Sequence, residues 1–343
     1  MADLRTIIAS ATEIGNQASR DYNGPGGLED LEGSILAGGE GRRMRAITAH
    51  LAKPLLYLPG GTLLEHQLAL LSRQRLGRIC VVTRHKGRQI QRAVRGVSGL
   101  TTLRQEPPHT LLGAIATALG SAREPCIVLH GDNYFSHRLE YLAEAVHEHF
   151  LDQRCQALFA TDPKLAQEDS AEILSASGCY VLSPELLPVV RELIESDQLS
   201  SLTRALLDEG VGVRRVPLRG WRQNINEAAD LLATNRRILE DWPGTFHLPG
   251  AEAGCRRQGS SFGAEGPVWV SPQAVVVDSS LGSFTTVGSG ATVRGSNLVE
   301  VIVFPRAEVV NQELSRSLVL PGPEGCLVLS ADGDIGRDDE GYP

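Results

Sequence analysis

The chain has 343 residues, of which 42% are hydrophobic and 22% are charged, a balance typical of a soluble globular protein rather than a disordered or fibrous one. Its 41 acidic and 33 basic side chains give a formal net charge of −8, which argues against a general nucleic-acid or anionic-membrane binder because both functions need a cationic face. No stretch approaches the roughly 20 apolar residues that span a bilayer, and the N-terminus lacks the pattern of a secretory signal.

The first 30 residues are polar and end in the turn-forming cluster Asn23-Gly24-Pro25-Gly26-Gly27, so we predict an N-terminal extension over residues 1–30. From residue 31 onward, short apolar runs alternate with helical spacing. Strands are predicted at residues 79–83, 126–130 and 157–160, and helices at residues 63–75, 110–119 and 139–150. This alternation predicts an α/β fold over residues 31–243, with a Rossmann-like, doubly wound, mostly parallel sheet. Ligands of such folds bind beyond the carboxyl ends of the strands.

A second pattern follows a loop-like segment at residues 244–266. Large apolar side chains recur every six residues at Trp269, Val275, Leu281, Val287, Val293 and Val299. A six-residue period places three short strands in each coil, so we predict a short left-handed parallel β-helix over residues 267–325. An irregular β cap is the alternative. The acidic, Gly-rich segment at residues 326–343 is predicted to be a flexible tail.

A glycine-rich loop follows the first predicted strand, in the run Leu36-Ala37-Gly38-Gly39-Glu40-Gly41-Arg42-Arg43. Glycines let a backbone approach a ligand closely and present N–H groups to an anion, and the forked guanidinium of Arg43 suits phosphate oxygens. The dinucleotide fingerprint is broken at Met44, and the sequence contains no P-loop motif. The loop predicts a phosphate site, with an ordinary turn between strand and helix as the alternative.

The wider segment resembles the signature of the nucleotidyltransferases that make nucleoside-diphosphate sugars. Their pattern is L-A-G-G-x-G-T-R-L, with K-P-L about ten residues later; here Lys53-Pro54-Leu55 follows the loop, and Arg42 replaces the threonine. The resemblance implies that the loop holds the nucleotide phosphates, through Leu36, Ala37, Gly38, Gly39 and Gly41. It also implies that Arg43 and Lys53 neutralise charge during transfer. A solvated surface lysine is the alternative for Lys53.

Residues 105–115 align without a gap to the family pattern Q-x-E-P-x-G-T-A-G-A-L. The resemblance implies that Gln105 reads the edge of the nucleotide base. Thr110 stands where the family has a glycine on which the base lies, so the identity of the base stays open. Residues 110–119 also suit the start of a helix that faces the core, and both interpretations stay open.

Two further positions imply a magnesium site. Asp132 comes directly after a predicted buried strand, where a carboxylate can cap a helix or hold a divalent cation against phosphates. The resemblance implies the second role for Asp132 and places the second metal ligand at Asn224, where many family members have aspartate. An amide oxygen is neutral and therefore a weaker ligand for Mg²⁺.

Together these features predict a Mg²⁺-dependent nucleotidyltransferase that condenses a nucleoside triphosphate with a sugar 1-phosphate and releases pyrophosphate. The sequence lacks the E-K-P turn that lines the sugar phosphate in the family, so a cyclitol phosphate or another small phosphorylated acceptor is also open. The alternative is a non-catalytic homologue that binds nucleotide sugars and assembles through its β-helix. Thr110 and Asn224 favour this alternative, whereas Arg43, Lys53 and Asp132 argue against it.

The compartment and the partners follow from smaller signals. The six cysteines are spaced too widely for a C-x-x-C site, which favours reduced thiols in a cytoplasmic protein. A short β-helix with open ends favours self-association, so we expect a homo-oligomer. The triphosphate and the phosphorylated acceptor are the expected partners, with no nucleic acid and no membrane.

Overall fold

The architecture is that of a computed structural model, which describes residues 31–74, 76–136, 139–149, 155–161, 178–241, 262–322 and 325–330. The predicted N-terminal extension lies outside the described residues, as do most of the predicted linker and tail. Within those ranges, no helix is both long enough and apolar enough to cross a membrane.

The N-terminal part alternates strands and helices. Its described strands are β1 (Glu32–Ala37), β2 (Tyr57–Leu58), β3 (Gly61–Thr62), β4 (Arg78–Thr83), β5 (Leu100–Arg104), β6 (Cys126–His130), β7 (Asn133–Phe135), β8 (Ala157–Thr161), β9 (Cys179–Leu182), β10 (Val213–Pro217) and β11 (Arg222–Asn224). Its described α-helices are α1 (Arg45–Thr48), α2 (Leu63–Ser72), α3 (Gly87–Ala93), α4 (Leu111–Leu119), α5 (Glu140–His149), α6 (Leu187–Glu192), α7 (Leu199–Asp208) and α8 (Ala228–Glu240).

Seven of these strands form one sheet in the order β10-β8-β9-β6-β1-β4-β5. β9 runs antiparallel to both of its neighbours, and the other neighbouring pairs are parallel. All six residues of β1 are buried, as expected of a central strand that helices cover on both faces. The predicted α/β fold with a mostly parallel sheet is confirmed.

Helices from both sides close the sheet into three layers. α2, α3 and α5 contribute Leu68, Ile90 and Leu142 to the apolar core on one face. α4, α6 and α7 contribute Ile115, Val190 and Leu202 to the core on the other face. Each fully buried side chain of this kind stabilises the fold by about 1.5–3 kcal/mol, so both layers hold the sheet firmly.

The C-terminal part consists of short strands that stack on one another. They are β12 (Phe262–Ala264), β13 (Trp269–Val270), β14 (Val275–Val277), β15 (Ser279–Leu281), β16 (Thr286–Val287), β17 (Thr292–Arg294), β18 (Asn297–Val303), β19 (Glu308–Val310), β20 (Glu313–Gly322) and β21 (Gly325–Ser330). Trp269 pairs in parallel with Thr286, 17 residues later, and Thr286 pairs with Ile302, a further 16 residues on. The same two steps separate Val276, Val293 and Val309. A parallel register of this kind is compatible with the predicted β-helix, whose hand stays a prediction.

The six-residue repeat is kept only in part. Leu281, Val287 and Val293 are fully buried and Trp269 is nearly so, but Val275 and Val299 are 41% and 43% exposed. The prediction that these two valines point inward is wrong. Coils of 16 or 17 residues are shorter than three hexads, so a strict six-residue spacing drifts off the inward-facing positions.

The last described strand lies within the segment predicted as a flexible tail. β21 pairs antiparallel with β20 from Ser317–Ser330 to Gly322–Gly325. Cys326 packs against the interior of the coils, and Leu327 and Leu329 pack against a neighbouring apolar cluster. The predicted start of the tail at residue 326 is therefore too early.

The two parts share one apolar core, built from residues of β2, α8 and the C-terminal strands. The rings of Tyr57 and Trp269 lie 5.8 Å apart across it. Asn235 of α8 is buried there, where its Nδ2 donates to the carbonyl of Phe284 at 2.7 Å and its Oδ1 accepts from the hydroxyl of Thr286 at 2.6 Å. The C-terminal strands thus pack directly on the α/β part.

Candidate active site

A cleft of about 530 Å³ opens at the carboxyl ends of β1, β4, β5 and β6. Parallel strands end at the same edge of a sheet, which brings together segments that lie far apart in the sequence. Eight predicted site residues line this cleft: Leu36, Gly38, Gly39, Gly41, Lys53, Gln105, Thr110 and Asp132. Ala37, Arg43 and Asn224 are predicted site residues that lie outside its lining.

The glycine-rich loop forms the floor of the cleft. Gly41 has a φ of 65°, a left-handed conformation that favours glycine, and its carbonyl accepts a hydrogen bond from the hydroxyl of Thr48 at 2.9 Å. No atom lies within 4 Å of the position that a Cβ on Gly39 would take. The loop backbone is therefore open to a ligand at Gly39 and fixed in shape at Gly41.

A second glycine brings the end of β6 against this loop. The N–H of Gly131 donates to the carbonyl of Leu36 at 3.0 Å. A Cβ on Gly131 would lie only 2.6 Å from that same oxygen, so a larger residue would push the two segments apart. The absence of a side chain at Gly131 thus allows Asp132 to sit beside the phosphate loop.

Lys53 and Asp132 form an ion pair in the cleft. The Lys53 Nζ lies 2.9 Å from Asp132 Oδ2, although 79 residues separate the two in the sequence. The side chain of Lys53 is only 8% exposed and that of Asp132 is 35% exposed, which excludes the solvated-lysine alternative. Burial alone would raise the pKa of Asp132, but the Lys53 ammonium and the nearby His130 outweigh burial and lower that pKa.

Asn224 lies next to Asp132 through the pairing of β7 with β11. Asn224 stands opposite Asn133, and the N–H of Ile225 donates to the carbonyl of Asp132 at 2.9 Å. The side-chain Oδ1 of Asn224 is buried and has no hydrogen-bond partner. A buried acceptor without a partner is energetically costly, and a cation ligand is one way to satisfy it.

The residues present therefore fit a magnesium ion. Mg²⁺ is usually bound by one or two protein oxygens together with substrate phosphates and water, rather than by a cage of side chains. Asp132 and Asn224 supply such a pair of oxygen donors. Among the described residues there is no cluster of three or more His, Cys, Asp or Glu side chains that could hold a metal alone.

Gln105 is buried at the end of β5, and its side-chain amide is fixed. Its Nε2 donates to the carbonyls of Pro108, at 3.2 Å, and Thr110, at 2.8 Å. Its Oε1 faces the phosphate loop, 3.3 Å from where a Cβ on Gly38 would lie. The side chain thus offers the cleft an acceptor rather than a donor.

Thr110 begins α4. Its Oγ1 accepts from the N–H of Gly113 at 3.0 Å, and its hydroxyl donates to the carbonyl of Ile194. The helix-start interpretation of residues 110–119 is confirmed. Because Thr110 also lines the cleft, its capping role leaves open whether it contacts the base as well.

Sequence reasoning missed a network around Arg84. Thr83 pairs with Ala37 in the sheet, so Arg84 follows β4 directly beside the loop. Its Nε donates to the carbonyl of Gly38 at 3.1 Å, and its Nη1 pairs with Glu40 at 3.0 Å. Glu40 also pairs with the exposed Arg42 at 2.8 Å, and hydrogen bonds to Arg42 and Arg84 lower the pKa of Glu40. The rule that ligands bind beyond strand ends was the signal that pointed to Arg84.

Two further residues at the cleft have local partners. His130 Nε2 lies 3.0 Å from the Tyr180 hydroxyl, and burial lowers the pKa of His130, which favours its neutral form. Asp197 Oδ1 accepts from the N–H of Leu111 at 3.0 Å and so helps to hold the start of α4 at the cleft.

Comparisons with known proteins agree with this geometry. A family model described as the MobA-like NTP transferase domain matches residues 33–211, more than half of the chain. The chain is similar to a glucose-1-phosphate thymidylyltransferase of Streptomyces antibioticus, with 22% identity over 330 residues that cover 84% of this chain and 92% of the relative. It is also similar to the low-salt glycan biosynthesis nucleotidyltransferase Agl11 of Haloferax volcanii, with 24% identity over 238 residues that cover 62% of this chain and 67% of the relative.

One solved structure is similar in fold. It is a Bacillus anthracis protein assigned as a glucose-1-phosphate thymidylyltransferase and crystallised with sucrose. The TM-score is 0.51 at 19% identity, and the match covers 60% of this chain and 94% of that one. This similarity supports the fold described above.

Proposed function

The chain belongs to the MobA-like NTP transferase domain family and is a nucleotidyltransferase, and from this premise we propose that it condenses a nucleoside triphosphate with a sugar 1-phosphate or a similar small phosphorylated acceptor. The products are a nucleoside-diphosphate sugar, or its analogue, and pyrophosphate. The observation that carries this proposal is the buried Lys53–Asp132 pair at the open face of the glycine loop. It puts a cation and a metal-binding carboxylate where two phosphates would meet.

The reaction needs positioning and charge neutralisation more than covalent chemistry. An oxygen of the acceptor phosphate attacks the α-phosphorus of the triphosphate. The bond from the α-phosphorus to the bridging oxygen breaks, and its electron pair leaves with pyrophosphate. The backbone N–H groups of residues 38–41 would cradle the β- and γ-phosphates, and Lys53 would neutralise the α-phosphate and the acceptor.

Arg43 is assigned to the leaving pyrophosphate. Its side chain is exposed beside the loop and outside the cleft lining, so it would reach the phosphates from the rim. Asp132 and Asn224 would hold Mg²⁺, which supplies charge neutralisation at the phosphates when bound. Asn133 Nδ2 and Lys53 Nζ donate to the two carboxylate oxygens of Asp132 and orient them.

Gln105 is proposed to read the base. Its Nε2 is held by two backbone carbonyls, so Oε1 would accept a hydrogen bond from the base. The N3–H of thymine or uracil and the exocyclic amine of adenine are groups that can donate such a bond. The names of the relatives favour a thymidylyl transfer with glucose 1-phosphate as acceptor, which makes this pair the first to test.

The direct test is pyrophosphate release from the purified chain with Mg²⁺, each of five nucleoside triphosphates and a panel of sugar 1-phosphates. We expect turnover with one triphosphate and a drop of at least about 100-fold in kcat for Lys53→Ala, because one preorganised charge at a transferring phosphate is worth roughly that much. Lys86→Ala removes a lysine outside the cleft lining and is the matched control. Near-normal activity of Lys53→Ala would overturn the proposed chemistry.

The same assay separates catalysis from regulation. Absence of turnover with every substrate pair, together with binding of nucleotide sugars in calorimetry, would favour the non-catalytic homologue. Self-association and a cytoplasmic location remain predictions.

A further inference from the structure

The charge of this chain is distributed unevenly. Residues 41–105 contain 13 lysine and arginine residues and one acidic residue, Glu65, whereas the rest of the chain contains 20 basic and 40 acidic residues. Glu65 is withdrawn from the surface by its capping bonds to Thr62. One segment of an acidic protein is therefore strongly cationic.

The fold gathers six of these cations into one surface, which we call the basic face. Its members are Arg43, Arg45, Lys86, Arg88, Arg92 and Arg95. All except the partly exposed Lys86 are exposed, and none forms an ion pair with a described carboxylate. Arg88 and Arg92 lie one turn apart on α3, and Arg95 follows the end of that helix.

Hydrogen bonds lock the two halves of this face together. Lys86 Nζ donates to the carbonyl of Ala49 at 2.6 Å, and Gln89 Nε2 donates to the carbonyl of His50 at 2.9 Å. The N–H of Ala52 donates back to Gln89 Oε1 at 2.8 Å. The segment after the phosphate loop and α3 therefore form one rigid surface.

The basic face borders the cleft. The N–H of His85 donates to the carbonyl of Gly38 at 3.4 Å, and α3 begins two residues later. A seven-residue helix is about 10 Å long, so the charges on α3 lie within one or two Debye lengths of the phosphate loop at physiological salt. The same face carries no exposed aromatic side chain on which a nucleic-acid base could stack.

We propose that the basic face steers the anionic substrates into the cleft, an inference that rests on the proposed function. A triphosphate carries about four negative charges and is repelled by a protein of net charge −8. A cationic surface beside the entrance reverses this repulsion locally and raises the rate of encounter without adding a contact in the bound state. Arg88, Arg92 and Arg95 are thus residues that set the association rate.

The experiment measures association and dissociation rates by stopped flow, with the mant-labelled triphosphate that binds most tightly of the five. For Arg88→Gln/Arg92→Gln/Arg95→Gln we expect association to slow by roughly 5-fold at low ionic strength and the difference to vanish at high salt. Dissociation and kcat should stay unchanged, since none of the three residues lines the cleft. A mant-nucleoside without phosphates should bind at the same rate to both proteins.

The matched control removes three exposed arginines from the C-terminal strands and their turns, as Arg294→Gln/Arg306→Gln/Arg316→Gln. It changes the net charge equally, so an equal effect of both triples would overturn steering by a local face. Unchanged association in the first triple would also overturn it, as would association that is unchanged while binding to duplex DNA weakens. Nucleotide steering without any pyrophosphate release would instead contradict the proposed function alone.

Discussion

Arg84 holds the phosphate loop by two contacts, one to the carbonyl of Gly38 and one to Glu40. Glu40 is a carboxylate in the lining of a cleft proposed to bind a polyanion, and its charge is balanced by Arg42 and Arg84. We expect Arg84→Gln to raise the KM for the triphosphate about 10-fold, with a smaller change in kcat, because it frees the loop and leaves Glu40 half neutralised.

Two companion variants separate position from charge. Arg84→Lys keeps the charge but cannot bond both partners with one fork, so an intermediate KM is expected. Glu40→Gln combined with Arg84→Gln removes the unbalanced carboxylate and should recover part of the lost affinity. A wild-type KM in Arg84→Gln would show that the loop keeps its shape without this contact.

The residues of the candidate site differ in how far the sequence could reveal them. Lys53 and Asp132 stand out because their motifs combine residue type with spacing, and the fold then brings them to 2.9 Å. Arg84 stands in no such motif. Its role depends on the pairing of β1 with β4, which places residue 84 beside residue 38, and strand order is a tertiary property that no local pattern encodes.

Among the helices, α2 contains a buried histidine that makes the fold sensitive to acid. The Nε2 of His66 is enclosed without a partner, and the ring packs edge-on against Tyr134 with centroids 5.3 Å apart. Burial lowers the pKa of His66 to about 4, a hydrogen bond with the backbone of Pro59 opposes this shift, and the charge of Arg73 adds to it. Its unfolded pKa is close to 6.5.

Acidification is therefore expected to destabilise the protein through His66. Between about pH 6.5 and pH 4 the unfolded chain binds a proton that the folded chain does not, so stability falls as the pH falls. The loss is about 1.4 kcal/mol per pH unit at most, or roughly 2 kcal/mol between pH 7.5 and pH 5. Urea unfolding should record this loss in the wild type and not in His66→Gln. The exposed His50→Gln is the control, and an equal loss in all three proteins would contradict the assignment.

The C-terminal strands mark the limit of pattern reading for elements. Aliphatic residues at six-residue spacing indicate coiled parallel strands, and parallel pairing is what the chain adopts. The length of each coil depends on turns, where single residues such as Asp278 and Phe284 adopt positive φ angles. Such turns shorten a coil by one or two residues, which turns Val275 and Val299 outward while their neighbours remain inside.

At the scale of the molecule, the α/β part and the C-terminal strands share a core that the sequence did not reveal. Periodicity tells which side of an element is apolar, but not which distant element covers it. Tyr57 and Leu58 of β2, Ile238 of α8 and Ile302 of β18 belong to one buried cluster. A shared core of this kind predicts that the two parts unfold together rather than as independent domains.

Asn235 allows this cooperativity to be tested. Asn235→Leu keeps a similar volume but leaves the carbonyl of Phe284 and the hydroxyl of Thr286 unpaired and buried, which should lower the free energy of unfolding by about 2–4 kcal/mol. Hydrogen exchange should record an equal loss of protection in β1 and in β18, since both exchange through global unfolding if the parts are coupled. The exposed Asn297→Leu should stay within about 0.5 kcal/mol of the wild type. A loss confined to β18 would mean that the C-terminal strands open on their own while the nucleotide cleft remains folded.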